Sequence, residues 1–108
     1  MTDILEVSES RPLILEAVDD GLLVLGENAR HALYYQIEKR FGIRREEIPH
    51  RIDGFHKALE NLFGPPCKIL EKIIAKELHS KLGLRFKERK SWTLADYLEN
   101  IKKSNVHT

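Results

Sequence analysis

The single cysteine of this 108-residue chain, Cys67, stands between Pro66 and Lys68 at what reads as the start of a helix. There the helix dipole and the adjacent cation both act to lower a thiol pKa, the condition for a nucleophilic or redox-active sulfur. Two features oppose that chemistry. No second cysteine exists to resolve a disulfide, and a single cysteine in an apolar helical arc is ordinarily core packing. Five histidines, His31, His50, His56, His79 and His107, raise the question of metal. No two of them stand four residues apart, and no second thiolate supplies a zinc-type spacing, so they read as surface residues. Neither glycine-rich phosphate loop is present, the six glycines falling at helix ends and turns. Glu46-Glu47 beside Arg44-Arg45 is an ordinary solvated charge cluster. The sequence thus nominates no catalytic residue and no metal ligand, and a non-enzymatic protein without a cofactor is expected.

Binding chemistry is better supplied. Lys68, Lys72 and Lys76 line one face of a helix, and Arg85, Lys87, Arg89 and Lys90 follow with Glu88 as their one counter-charge. Brought together, these seven cations would form an anion-binding patch suited to phosphates. Trp92, next to that run, has two readings: stacking on a base, or anchoring a loop to the core. No helix-turn with base-reading side chains follows, so nucleic-acid binding through residues 68–90 is the alternative. The leading expectation is a protein-interaction module. Its exposed candidates are Tyr35, Trp92 and the apolar surface of the fourth helix, with another protein or a second copy of the chain as partner.

These side chains must be positioned by one small domain, since domains usually run about 100–150 residues. Hydrophobic residues are 42% and charged residues 32%, a globular balance that needs no disulfide. No apolar run reaches the ~20 residues of a membrane span, and residues 1–10, with three acids and no base, do not form a signal peptide. A cytoplasmic location without a membrane partner is expected. The net charge of +1 conceals a gradient: residues 1–54 carry 7 basic and 11 acidic side chains, residues 55–108 carry 11 and 6. Such halves fold against each other, stay solvated, or present a basic face to an anionic partner.

Four apolar-glycine steps, Leu25-Gly26, Phe41-Gly42, Phe63-Gly64 and Leu82-Gly83, mark helix ends. The first helix is expected over Pro12 to Leu25, interrupted at Asp19-Asp20-Gly21. The second, Asn28 to Phe41, aligns Ala29, Leu33, Ile37 and Phe41, with Tyr34 beside them. Residues 44–49 allow at most one helical turn, closed by Pro49. Asp53 then caps a third helix, Gly54 to Phe63, with Phe55, Ala58, Leu59, Leu62 and Phe63 facing in. The fourth, Pro66 to Leu82, is the most apolar and is expected at the centre. Its wet stripe is Lys68, Lys72, Lys76 and His79, while Glu77 falls in the apolar arc and is expected to pair with Lys81. Thr93 and Asp96 form a capping box for a last helix, Leu94 to about Lys103. Residues 1–11 and 105–108 are expected to be flexible. The fold class that follows is all-α, a compact bundle of about five helices with a short strand or extended connector near residues 84–88.

The run Tyr34-Tyr35-Gln36-Ile37-Glu38-Lys39-Arg40-Phe41-Gly42-Ile43 and the Ile48-Pro49 turn are followed by Phe55-His56-Lys57-Ala58-Leu59-Glu60 with Phe63-Gly64. Leu70-Glu71-Lys72, Lys76-Glu77-Leu78 and Lys81-Leu82-Gly83-Leu84 complete a pattern that resembles a small archaeal family. That family is the Nitrosopumilus output-domain group of the fifth type, with its stand-alone relatives of unknown function. The resemblance spans roughly residues 14–100 and rests on the order and spacing of helix faces and glycine stops. It implies a helical signalling output or adaptor domain and carries over no catalytic residues.

Overall fold

A computed structural model describes residues 10–106, with side chains over residues 11–103. Helix α1 (Ser10–Leu22) packs along α4 (Cys67–Leu82), and this is the most extensive helix pairing in the molecule. Their separation is set at Gly21. A Cβ there would lie 2.7 Å from Ile74 Cγ1 and 2.9 Å from Ile74 Cα, so a hydrogen is what lets the two backbones approach. The Asp19-Asp20-Gly21 step therefore does not interrupt the helix as expected. It lies within it, and the glycine serves packing. The helix ends at Leu22, three residues earlier than expected, and a 3-10 turn over Leu23–Leu25 carries the chain to Gly26.

Helix α2 (Glu27–Phe41) stops at Gly42, whose left-handed backbone (φ 68°, ψ 27°) returns an N–H to the Glu38 carbonyl. Leu33 and Ile37 are buried, Tyr34 and Phe41 half-buried, and Ala29 is exposed because the packed stripe begins one turn later. A second 3-10 segment, Arg45–His50, contains Pro49 and buries Ile48. Helix α3 (Ile52–Phe63) starts before Asp53, which lies in the first turn instead of capping it. Its buried side is Phe55, Ala58 and Leu59.

Helix α4 takes the central place expected of it, against α1, α3 and α5 (Leu94–Val106). Its wet stripe differs from the wheel in two residues. His79 is buried, and Ile69, assigned to the apolar arc, is 57% exposed. The apolar arc is narrower than the wheel drawn from residue types alone, because the neighbours reach only the side carrying Cys67, Leu70, Ile74 and Leu78. Residues 84–89 form a connector without strand pairing. The Thr93 capping box is present: Thr93 N donates to Asp96 Oδ2 at 2.9 Å, and Asp96 N donates to Thr93 Oγ1 at 3.3 Å. Helix α5 runs three residues past Lys103. Of the termini expected to be flexible, residues 1–9 and 107–108 lie outside the described residues, while residues 10–11 and 105–106 belong to helices.

The protein is thus an all-α bundle, with five α-helices and two 3-10 segments among the described residues. Its radius of gyration, 13.4 Å, matches the ~13 Å of a compact chain this long. Part of the charge gradient closes internally. Lys81 pairs with Asp20 (2.6 Å) and Glu16 (3.7 Å) on α1, replacing the expected partner Glu77. Arg45 pairs with Asp19. No helix among the described residues is long and apolar enough to cross a membrane.

Candidate functional site

Two places on α4 gather groups with binding chemistry, one on each side of the helix. The first is a surface groove of about 160 Å³ lined by Lys68, Ile69, Lys72, Glu88, Arg89, Lys90 and Trp92. The connector is fastened over α4 by an aromatic cluster. Phe86 meets His79 edge-on at 5.1 Å and Tyr97 at 5.4 Å, while Trp92 meets Tyr97 at 5.1 Å. The buried Tyr97 hydroxyl accepts the Arg89 N–H (2.9 Å) and donates to the Arg89 carbonyl (3.1 Å), which fixes the backbone that carries the Arg89 guanidinium. His79 is drawn into this cluster, its Nδ1 within 2.7 Å of the Ala75 carbonyl, and that is why it leaves the wet stripe.

The groove unites four of the seven expected cations, Lys68, Lys72, Arg89 and Lys90. Lys72 is tied to Glu88 at 2.9 Å. Lys76, Arg85 and Lys87 are exposed but do not line it. Trp92 is half-buried and serves as an anchor against Tyr97, and the Arg89 guanidinium lies 5.2 Å from its ring centroid. That occupied ring is not an open platform for a base. Tyr35 is exposed (57%) on α2 with the Lys39 amino group 5.7 Å from its ring centroid, outside the groove. The broad apolar surplus expected of α4 reduces to Ile69, with Ile73 half-buried.

On the other side of α4, sequence reasoning missed a polar cluster within the core. Glu71 is fully buried (0% exposed). Its Oε2 lies 2.5 Å from His56 Nδ1 on α3, and its Oε1 accepts the Leu94 N–H at 2.7 Å. One carboxylate therefore joins α3, α4 and the start of α5, and satisfies an amide that opens a helix. Cys67, one turn before Glu71, is 2% exposed. Burial pushes its thiol pKa up, and Glu71 and Glu60 push the same way against Lys68. The low thiol pKa expected from the helix start is thus reversed by desolvation and two carboxylates. Glu60 reaches the cluster from α3, its Oε1 3.9 Å from His56 Nε2. The readable signal was two i, i+4 pairs, His56 with Glu60 and Cys67 with Glu71. Comparing histidines only with one another overlooks it.

No known protein family matches the chain, and no solved structure matches it. Among curated proteins it is similar to a UDP-N-acetylglucosamine 1-carboxyvinyltransferase of Endomicrobium trichonymphae, 30% identical over 94 residues. That match takes in 82% of this chain and 22% of the relative, so the chain spans about a fifth of that protein's length.

Proposed function

We propose that this chain is a non-enzymatic interaction module, of the output or adaptor kind, that docks an acidic protein segment carrying an apolar anchor. The observation that carries the reading is the α4 groove, where Lys68, Lys72, Arg89 and Lys90 surround an Ile69 that is 57% exposed. Cations with an apolar centre fit carboxylates flanking a hydrophobic side chain. A nucleic-acid backbone is the less suitable occupant. The exposed Ile69 at the groove's centre has no counterpart in a phosphate chain, and the Trp92 ring is engaged by Arg89 and Tyr97. The buried thiol of Cys67 supports the non-enzymatic part of the reading, since a nucleophile must be reachable and ionised. The likeness to a fragment of a carboxyvinyltransferase carries no reaction over to this chain. A cytoplasmic setting suits this role.

The test is fluorescence anisotropy with two labelled probes of equal length, a peptide alternating glutamate and leucine and a single-stranded oligonucleotide. Trp92 emission, from the chain's one tryptophan, reports occupancy of the groove directly. The peptide is expected to bind, to weaken at least tenfold in a Lys68→Glu, Lys90→Glu variant, and to bind tighter than the oligonucleotide. Preference for the oligonucleotide transfers the groove to nucleic acid. Absence of peptide binding at low salt removes the reading.

A further inference from the structure

We propose that His56, Cys67 and Glu71 hold one divalent transition-metal ion of the zinc class between α3 and α4, with Glu60 orienting the imidazole from its other nitrogen. His56 and Glu60 are one turn apart on α3, and Cys67 and Glu71 are one turn apart on α4, so each pair occupies a single face. Helical bundles build metal sites from such pairs on facing helices. Ligand atoms of His56, Cys67 and Glu71 all lie within 4.8 Å of one another, and Glu60 Oε1, 3.9 Å from His56 Nε2, faces the ring nitrogen that Glu71 leaves free, the place of an outer-shell partner.

The donor set selects the ion. An imidazole, a thiolate and a carboxylate suit zinc and its neighbours, whereas magnesium and calcium favour oxygen alone. Burial adds a reason. A carboxylate as withdrawn as Glu71 is stabilised most by a cation beside it, and none of the neighbours described, a backbone amide, an imidazole and a thiol, is a permanent one. The site also has an entrance, since the His56 side chain is 23% exposed and that of Glu60 63%.

The 2.5 Å separation of His56 Nδ1 and Glu71 Oε2 is a hydrogen bond. Two ligand atoms on a tetrahedral zinc, each bonded at about 2.0 Å, stand about 3.3 Å apart. Binding therefore requires the His56 ring to swing by about 1 Å toward its open side, and the proton that bridges Nδ1 and Oε2 to pass to Nε2, which faces Glu60. The Cys67 proton leaves to solvent as the sulfur–metal bond forms: M²⁺ and Cys–SH give Cys–S–M⁺ and H⁺. The charged and titratable groups facing that thiol are Glu71, Glu60, His56 and, with opposite effect to the carboxylates, Lys68.

The experiment is titration of the full, chelator-treated chain with Co²⁺, followed by displacement with Zn²⁺. A near-ultraviolet thiolate-to-cobalt charge-transfer band saturating at one equivalent is expected. Cys67→Ser should abolish the band and weaken Zn²⁺ at least ~100-fold, and Glu60→Gln should weaken it about tenfold. Melting curves in chelator establish that both variants fold, and Glu60, being exposed, gives a variant that tests the site without disturbing the core. No band and no binding heat with the wild-type chain overturns the proposal. So does a folded Cys67→Ser chain that binds Zn²⁺ as tightly as the wild type.

Discussion

Asp19 and Glu71 are both drawn back from water at junctions between helices, yet they are held by different kinds of partner. Tyr34 donates to Asp19 Oδ1 at 2.5 Å, Arg45 donates to both carboxylate oxygens, and Arg30 donates to the Asp19 backbone carbonyl at 2.8 Å. Burial works to raise the Asp19 pKa, but the hydrogen bonds from Arg45 and Tyr34 and the charges of Arg45 and Arg30 outweigh it, leaving the carboxyl below its ordinary range. The Tyr34 hydroxyl is pushed well up by burial and then by Asp19, so it stays protonated. Arginine is a cation at any working pH, and this knot of α1, α2 and the Arg45 segment is a fixed clamp. Glu71 faces a histidine and a thiol, groups that exchange protons and take metals. Permanent cations make a lock, whereas exchangeable donors make a candidate site.

The largest effect separating the two should come from Glu71→Ala. It leaves the Leu94 amide and the His56 ring without their buried acceptor and opens a cavity, a loss of about 3–4 kcal/mol by denaturant unfolding in chelator. Glu71→Gln, which keeps an acceptor for Leu94, should cost about half of that. An alanine variant within about 1 kcal/mol of wild type would mean that α5 is not tied to the core through this carboxylate.

Gly21 joins the two regions, since Asp19 lies on α1 and Glu71 on α4. Alanine normally stabilises a helix interior by about 1 kcal/mol over glycine. Here its Cβ would stand 2.9 Å from the Ile74 Cα, so Gly21→Ala is expected to destabilise by about 2 kcal/mol through forced separation of the helices. A stabilised variant would show that the α1–α4 spacing can relax, and that the clamp and the cluster are less rigidly related than the packing implies.

Most of the bundle could be read before any coordinates, because glycine stops and apolar stripes are local features. The glycines at 26, 42, 64 and 83 all take positive φ, and the stripes at Leu33 and Ile37, and at Phe55, Ala58 and Leu59, are buried as their spacing requires. A helical wheel assigns faces but does not say which neighbour covers them. It therefore placed His79 in water, although Phe86 and Tyr97 enclose it, and gave Lys81 to Glu77, although α1 brings Asp20 and Glu16 to it. The groove was half legible. Four of its cations were named from the sequence, but only the fold of the connector decided that Lys76, Arg85 and Lys87 lie outside it. The His56, Cys67 and Glu71 cluster needed the packing of α3 against α4, since its members are 15 residues apart where they touch most closely.

The smaller effects lie at the clamp, part of which is open to solvent. Asp19→Ala is expected to cost about 1–2 kcal/mol, and a double-mutant cycle with Arg45→Ala should assign about 1 kcal/mol of that to the pair. Acid provides the finer test. A carboxyl whose folded pKa lies below its unfolded value of about 3.9 contributes stability that is complete above that value. The contribution is lost as pH falls through the lower, folded pKa, because the unfolded chain takes up the proton first. Denaturant midpoints measured from about pH 5 down to about pH 2 should therefore fall more steeply for the wild-type chain than for Asp19→Asn, with the two curves parallel above about pH 5. Identical acid limbs would mean that Asp19 titrates alike in the folded and unfolded chains. Arg45 and Tyr34 would then orient the carboxylate without stabilising its charge, and the contrast with Glu71 would be one of burial and not of partner.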